Sequence, residues 1–307
     1  MSIVVTGASG HFGRRAAELL LQKIPAADLI LVSRKPEALA EFAARGVQVR
    51  RGDFDDPASL ATAFAGAERL LLISTDQVGG NRLRQHRVAI DAAKSAGIRH
   101  LTYTSFVGAG ADNPAISTRE HTATEAMIRA SGLAWTFLRD SQYAEAMAEF
   151  VAPGALMSGQ WISATGEGKV ALVARADCVA SAAAVMAGSG HENLICDITG
   201  PELLTYRDCA EPAVELGGRP IDYRPVSEVE KFAFFDAIGV PRQFGADLSK
   251  SPIPWPSEEM VSFERAIREG CFAVCSDHVE RLTGRKPLSL REVYMQHIDK
   301  LRPGAGA

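Results

Sequence analysis

The sequence has few of the residues that mark metal-binding, disulfide-rich or membrane proteins. Its 307 residues include five cysteines and seven histidines, and neither a C-x-x-C nor an H-x-x-x-H pattern occurs. We therefore expect no metal site, and the odd, scattered cysteines indicate reduced thiols in a cytoplasmic protein. No apolar run reaches the ~18 residues that cross a bilayer, so we expect no membrane association.

A long basic run is also missing. The net charge is −4, so we expect no nucleic-acid partner. The first residues lead directly into an apolar strand, so we expect no signal peptide. With 47% hydrophobic and 23% charged residues, the composition is typical of a globular protein with one large or two modest domains.

A glycine-rich turn near the N-terminus is the most informative stretch that is present. A β-branched run (3–6) predicts a buried strand, and apolar residues at helical spacing predict a helix over 14–23. Glycines between strand and helix allow close approach of a phosphate, which the helix N-terminus attracts. The alternative is a plain turn that packs a helix on a sheet. The residues predicted to hold the pyrophosphate of a dinucleotide are Gly7, Ser9, Gly10, His11, Phe12 and Gly13.

Strands and helices then alternate up to about residue 140. This rhythm predicts parallel β-α units and a Rossmann-type, doubly wound α/β sheet. We expect a dinucleotide-binding domain over 1–140. The predicted strands are 28–33, 47–50, 70–74, 100–105 and 134–139, and the predicted helices are 36–45, 58–64, 85–96 and 117–131.

Beyond residue 140 the alternation breaks. The pattern predicts helices over 141–151, 176–187 and 205–216, a glycine-rich connection over 154–168 and short strands over 170–173 and 193–198, with an extended piece over 221–224. We expect this half, 141–307, to form a smaller α/β lobe that binds the substrate. Its boundary is predicted to be interleaved with the first lobe.

The residues after the second predicted strand bear on the choice of dinucleotide. An NAD site usually places Asp or Glu there to bind the ribose 2′-hydroxyl. Here the sequence reads Ser33-Arg34-Lys35, and a guanidinium favours a 2′-phosphate. We therefore predict that Arg34 binds NADP(H) in preference to NAD(H). A solvated cation pair in a loop is the alternative.

Two further loops at strand ends contribute candidate cofactor residues. Asp53 can accept from the adenine amino group with Phe54 beside the ring, although an aspartate in this loop can equally cap the next helix. Ser74 and Thr75 follow the fourth strand, where the ligand crevice of a parallel sheet lies, and their hydroxyls are predicted to meet a cofactor ribose.

Several stretches between residues 6 and 192 together resemble a known family. They are TGASGHFG (6–13), LLLIS (70–74), QH (85–86), YTS (103–105), EHTATE (120–125), TFLR (136–139) followed by Tyr143, RAD (175–177) and GHE (190–192). The chain resembles the NmrA-like atypical short-chain dehydrogenase/reductases, in particular the type 2 NAD(P)H:quinone oxidoreductases and triphenylmethane reductases. The last hundred residues match only loosely.

The resemblance implies an NADP(H) site on the matching positions. The glycine turn would hold the pyrophosphate, Arg34 the 2′-phosphate, and Ser74 with Thr75 the ribose side. The stretch 138–143 would approach the nicotinamide, and Ser105 and Arg175 are further candidates at the cleft. His11 departs from the glutamine expected in this group, which affects the hydrogen bonds of the turn more than phosphate binding.

The helix after the fifth strand lacks the Tyr-x-x-x-Lys of ordinary members of the superfamily. It offers His121 and Glu125 on one face instead, so ordinary alcohol–ketone chemistry is not expected. Quinones and cationic dyes accept a hydride with little proton relay. We therefore predict a reductase of small aromatic electrophiles, quinones first, with His121 and Tyr143 as candidate catalytic residues. A structural pairing of His121 with a neighbouring carboxylate is the alternative. The aromatic residues that can wall a slot can equally be ordinary core, and for 232–235 core or a lid is favoured; they are Phe106, Tyr143, Phe150, Trp161, Phe232, Phe234 and Phe235.

Two other functions stay open at this point. One is a redox sensor that binds NADP(H) without turnover and reports to a partner protein. The other is reduction of benzylic ethers or activated double bonds in plant-derived aromatics, although that chemistry usually uses a lysine on the His121 helix. The sequence does not fix the oligomeric state, and a homodimer is one option.

Overall fold

A parallel sheet of seven strands forms the centre of the molecule. The computed structural model describes residues 1–110 and 112–302. Across the sheet the strands run 3-2-1-4-5-6-8 in chain numbering, and the reversal between the first and fourth strands is where such sheets bind ligands. The predicted Rossmann-type fold is confirmed. In chain order the strands are β1 (Ile3–Val5), β2 (Leu29–Ser33), β3 (Gln48–Arg51), β4 (Arg69–Leu72), β5 (His100–Phe106), β6 (Ala134–Asp140) and, after one strand outside this sheet, β8 (Leu194–Ile198).

Helices cover both faces of the sheet. Side chains alternate along each strand, so Ile3 and Val5 enter one apolar core while Val4 enters the other. Burial on both faces explains why these strands read as continuous apolar runs. The first core is closed by α1 (His11–Leu20), α2 (Ala40–Ala43), α8 (Arg175–Ala187) and α12 (His278–Thr283), and the second by α3 (Pro57–Phe64), α4 (Asn81–Ser95) and α5 (Ile116–Ala130).

The chain beyond β6 adds a mostly helical layer with its own apolar core. A small parallel sheet joins β7 (Gln160–Ser163) and β9 (Asp222–Pro225). The helices of this part are α6 (Ala144–Ala146), a π-helical segment (Met147–Val151), α7 (Ala152–Ser158), α9 (Tyr206–Gly217), α10 (Glu228–Ala237), α11 (Ser257–Arg268), α13 (Leu290–Gln296) and α14 (Ile298–Leu301). Since β8 pairs with β6, this half also contributes to the large sheet; the two-lobe division at residue 140 stays a prediction.

Two helices begin earlier in the chain than their apolar periodicity indicates. The first begins at His11 rather than at Arg14, directly after the extended Gly10. The fourth begins at Asn81 rather than at Gln85, directly after Gly80, whose φ is 109°. In both places a glycine ends the loop directly before the first residue of the helix.

Two predicted elements beyond residue 140 are wrong in detail. The predicted strand 170–173 belongs to neither sheet, because Val170 and Val173 form only isolated bridges, to Leu204 and Tyr143. The predicted helix 141–151 begins only at Ala144, since Tyr143 is extended to make its bridge. Within the described ranges, no helix is long and apolar enough to cross a membrane.

Candidate cofactor and active site

The glycine turn follows β1 and opens α1. Gly7 has a φ of 61°, a conformation that favours glycine. A Cβ on Gly13 would lie 2.5 Å from the carbonyl oxygen of Gly7, so only glycine lets α1 start this close to the turn. The N-cap residue of α1, Gly10, provides no side-chain cap. The first N–H groups of the helix and its positive dipole end are therefore open to an anion, which is what a pyrophosphate requires.

The end of β2 is fastened to this turn. The N–H of Ala8 donates to the carbonyl oxygen of Val32 at 3.1 Å, and the hydroxyl of Ser33 donates to the hydroxyl of Ser9 at 2.9 Å. These bonds place Arg34, which is exposed, beside the glycine turn. A cation therefore stands where a carboxylate would select an unphosphorylated ribose.

A cavity at the carboxyl ends of β1 to β4 joins these features. The turn, Arg34, Asp53, Phe54, Ser74 and Thr75 all line it, so the structure brings together these residues predicted from separate loops. Sequence reasoning missed several lining residues, of which Thr6, Ile73 and Gln85 lie in stretches that carried the family resemblance. The full lining is Thr6, Gly7, Ser9–Gly13, Val32–Arg34, Gly52–Phe54, Ile73–Gln77 and Gln85.

The aspartates after β3 accept different hydrogen bonds. Asp56 is the N-cap of α3, and its carboxylate accepts from the N–H of Ser59. Asp53 accepts from the N–H of Asp55 at 3.0 Å, which shapes the loop. The side chain that caps α3 is therefore Asp56, and the half-buried Asp53 stands in the cavity wall. Its contact with adenine stays a prediction.

His121 lies in a buried polar network rather than in the cavity wall. Its Nε2 is 3.4 Å from the guanidinium of Arg82, which can only donate, so Nδ1 carries the proton and lies 2.8 Å from the hydroxyl of Tyr103. Burial, and then the charge of Arg82, hold the pKa of His121 well below its usual range. The imidazole is therefore neutral in this arrangement, and its predicted catalytic role stays a prediction.

Ser105 is also engaged inside the protein. Its hydroxyl donates to the buried carboxylate of Glu125 at 2.7 Å, and Arg139 makes a bidentate pair with the same carboxylate at 2.8 and 2.7 Å. Ser105 is not part of the cavity lining, so its predicted cofactor contact stays a prediction. The observed role of Glu125 is to join α5 to the ends of β5 and β6.

Tyr143 and Arg175 meet beyond the end of β6. The Arg175 guanidinium lies 5.5 Å from the centre of the Tyr143 ring, and the Tyr143 hydroxyl donates to Asp140 at 3.4 Å. Neither residue lines the cofactor cavity. Burial raises the pKa of Asp140 to about 7 and, together with Asp140, raises that of Tyr143 well above its usual range. A carboxyl that exchanges its proton near neutral pH thus lies within hydrogen-bond distance of the predicted Tyr143 donor.

The candidate aromatic walls fall into separate groups. Trp161 is buried in the C-terminal core against Tyr206. Phe106 packs on Phe263 and Phe272, and Phe150 meets Trp255 edge to face. Phe232, Phe234 and Phe235 form a small apolar cluster with α11. Among the described residues, no group of three or more His, Cys, Asp or Glu side chains could hold a metal ion.

Comparison with known proteins agrees with this geometry. A family described as NAD(P)H-binding matches residues 7–187. The chain is 36% identical over 251 residues to quinone oxidoreductase 2 of Escherichia coli, covering 82% of this chain and 87% of the relative. It is 30% identical over 307 residues to an NmrA-like family domain-containing oxidoreductase of Aspergillus flavus, covering 96% and 94%.

Solved structures extend the likeness over nearly the whole chain. The NADPH-dependent quinone oxidoreductase of Escherichia coli, complexed with NADPH, superimposes with a TM-score of 0.87 at 33% identity, covering 96% of this chain and 99% of the other. The triphenylmethane reductase of Citrobacter sp., complexed with NADP(H), has a TM-score of 0.85 at 31% identity, covering 96% and 100%.

Proposed function

Because the chain belongs to the NAD(P)H-binding family, in the NmrA-like group of quinone and dye reductases, we propose that it is an NADPH-dependent reductase of aromatic electrophiles with quinones as the leading substrates. Membership confirms the resemblance read from the sequence. The chain is an NAD(P)H-dependent oxidoreductase; the substrate class and the preference for the phosphorylated cofactor are the proposal.

The single observation that carries the proposal is the pairing of the glycine turn with Arg34 in one cavity wall. The open N-terminus of α1 fits the pyrophosphate of a dinucleotide. Arg34 fits a 2′-phosphate, because a guanidinium binds phosphate with two parallel hydrogen bonds. Quinone as the acceptor is supported by the relative that is 36% identical.

The chain's own residues would act mainly by binding and orientation. When bound, the nicotinamide supplies the hydride, and a quinone that accepts it becomes aromatic. Such a transfer depends on holding donor and acceptor in near-attack geometry. We assign proton delivery to Tyr143, whose hydroxyl would give its proton to the reduced oxygen. The Asp140 carboxyl, 3.4 Å away, can then return a proton to the Tyr143 oxygen, and its nearly neutral pKa suits such a proton reservoir.

The test is NADPH consumption, followed by absorbance, with benzoquinone, menadione, a triphenylmethane dye or no acceptor. The proposal expects acceptor-dependent consumption that is fastest with a quinone, and no consumption without an acceptor. The Gly13→Ala variant is the matched negative control, since its Cβ would strike the backbone of the phosphate-binding turn. If NADPH binds to the wild type but none of the acceptors causes it to be consumed, the result contradicts the proposal and favours the redox-sensor function.

A further inference from the structure

The loop between β4 and α4, residues 73–80, is held in place by buried side chains of α4. The N–H of Thr75 donates to Nε2 of His86 at 3.1 Å, and the carbonyl oxygen of Thr75 accepts from Nε of Arg82 at 2.8 Å. Both side chains are buried, His86 completely. The backbone N–H and the backbone carbonyl oxygen of Thr75 are therefore both hydrogen-bonded to side chains and not to a neighbouring strand.

The hydrogen bonds fix the tautomer of His86. A backbone N–H can only donate, so Nε2 of His86 accepts and Nδ1 carries the proton. That proton points at the hydroxyl of Thr124, 3.0 Å away, which in turn donates to the carbonyl oxygen of Glu120 at 2.9 Å. Burial, and then Arg82, lower the pKa of His86 to about 3. His86 thus stays a neutral acceptor at any pH used for assay.

The far end of the same loop is held by α5. One carboxylate oxygen of the buried Glu120 accepts from the N–H of Gly79 at 3.1 Å and from that of Gly80 at 2.7 Å. Gly80 is the N-cap of α4 and has no side chain with which to cap it. Glu120, on α5, instead binds the two backbone N–H groups that directly precede α4, and its second oxygen lies 3.8 Å from Arg82. The loop is thereby fastened at both of its ends.

Thr75 and Gln85, both in the wall of the cofactor cavity, each carry a buried polar atom. Thr75 lines the cavity, and its buried hydroxyl oxygen has no hydrogen-bond partner within residues 1–110 and 112–302; the same is true of Oε1 of Gln85. A buried polar atom without a partner is unfavourable, because it has lost its hydrogen bonds to water and gained none. Two such atoms at one cavity indicate a polar ligand that satisfies them, as the hydroxyls and amino group of a dinucleotide do.

From this arrangement we propose that His86 is a positioning residue for NADPH, which acts by fixing the Thr75 peptide so that the Thr75 hydroxyl faces the cofactor. The inference rests on the proposed function of the cavity. It also gives Gln85-His86 and the set from Glu120 to Thr124 a joint role: these two stretches hold one cofactor loop. His86 itself touches neither the cofactor nor the substrate in this proposal.

A second buried histidine provides a matched control. His100 also hydrogen-bonds a buried threonine hydroxyl, that of Thr136 at 2.8 Å, but it lies at the opposite, amino-terminal end of the sheet. Replacement of either histidine removes a buried ring and a threonine contact. Only replacement of His86 releases the Thr75 peptide, so the pair separates general loosening of the fold from loss of cofactor positioning.

The experiment measures KM and kcat for NADPH with menadione, and the Kd of NADPH by protein fluorescence, in purified full-length variants. We expect His86→Ala to raise KM and Kd about tenfold while kcat at saturating NADPH changes less than about twofold, because a donor without its acceptor is worth on the order of 1.4 kcal/mol. His86→Gln, whose amide oxygen can accept from Thr75, should recover most of the affinity. His100→Ala should lower the thermal midpoint and leave KM unchanged.

A subtler pair covers the case in which His86→Ala does not fold. Thr124→Val keeps the volume and removes the acceptor of the His86 proton, so it should raise KM about threefold, whereas Thr136→Val should not. Unchanged KM in His86→Ala, or in Thr124→Val if the former is unfolded, overturns the inference, as does an equal rise in the His100 and Thr136 variants. Failure of wild-type protein to bind NADPH overturns the proposed function itself, which is a different result.

Discussion

The hydroxyl of Ser33, the last residue of β2, donates a 2.9 Å hydrogen bond to the hydroxyl of Ser9 in the glycine turn. A second bond, from the N–H of Lys35 to Ser33 at 3.0 Å, turns the chain after the strand. The residue between them, Arg34, therefore stands at a fixed place beside the turn. The fold thus holds the N-terminus of α1 and Arg34 at a fixed distance from each other. A dinucleotide with an extra phosphate requires two such anion-binding elements.

The first prediction concerns selection between the two nicotinamide cofactors. Arg34→Glu should raise KM for NADPH by roughly 100-fold, since it removes charge-assisted hydrogen bonds and adds repulsion toward a phosphate. KM for NADH should change by no more than about threefold, because the unphosphorylated ribose does not need the cation. Steady-state kinetics with both cofactors and one quinone measure the ratio.

The control for this variant is an equal charge change away from the cavity. Lys94→Glu alters an exposed residue of α4 that does not line the cofactor cavity. It should leave both KM values close to wild type. Equal increases for NADPH and NADH in the Arg34 variant would show that Arg34 does not recognise the 2′-phosphate.

The second prediction tests the close approach of α1 to the turn. Gly13→Ala would place its Cβ 2.5 Å from the oxygen of Gly7 and 2.7 Å from the Cα of Ala8, both backbone atoms that cannot give way cheaply. We expect loss of NADPH binding by fluorescence titration and a free energy of unfolding lower by about 1–3 kcal/mol. Gly154→Ala in α7 meets no atom within 4 Å and should be neutral or stabilising by about 0.5–1 kcal/mol.

Much of the large sheet can be predicted from the sequence because its signals are local. A buried parallel strand is a continuous apolar run, and α1 and α4 each begin directly after a glycine. The segment 141–173 is different. Tyr143 is extended, and the helix starts late, because Tyr143 pairs with Val173 thirty residues away. No local pattern carries a bridge of that kind, and the pairing of β7 with β9 has the same long-range origin.

The site shows the same division between local and distant causes. The positions of the glycine turn and Arg34 can be predicted from the sequence because each follows the end of a strand, and their chemistry depends on where the backbone lies. The environments of His121 and Ser105 cannot be predicted in this way. Each side chain is hydrogen-bonded to a buried partner inside the fold, His121 to Tyr103 and Ser105 to Glu125, and neither lines the cavity. The sequence pattern around a polar residue is the same whether its side chain faces a ligand or a buried partner.

The third prediction separates the two candidate proton donors. Tyr143→Phe should lower kcat with a quinone by about 10- to 100-fold, within the range for loss of a general acid, and should change the pH profile of kcat. His121→Gln should leave that profile unchanged, since His121 is neutral and bonded to Tyr103 away from the cavity. A cationic dye, which needs no proton at oxygen, is the internal control and should be reduced at a similar rate by Tyr143→Phe and the wild type.

The outcome also decides the role of His121. If His121→Gln flattens the acidic limb of the profile while Tyr143→Phe does not, the proton comes from His121 and its buried hydrogen bonds must open during turnover. A fall in thermal midpoint without any kinetic change would instead assign His121 to the scaffold around Arg82 and Tyr103.

The last prediction follows from the buried carboxyl of Asp140. Burial raises its pKa to about 7 in the folded protein, whereas an unfolded aspartate titrates near ~3.9. Between these two pH values the folded state binds more protons than the unfolded state, so the contribution of Asp140 to the free energy of unfolding falls as pH rises.

Asp140→Asn removes this titration. The variant should therefore gain stability relative to the wild type from pH ~4 to pH ~7, by about 4 kcal/mol in total, and keep that gain above pH ~7. Urea unfolding across this range measures the difference, and His86 and His100 cancel because both proteins contain them. Asp277→Asn, at a carboxyl whose side chain is 69% exposed, should show no such trend. A constant difference between Asp140→Asn and the wild type at every pH would mean that Asp140 is already ionised in the fold, and the proton reservoir assigned to Tyr143 would be lost with it.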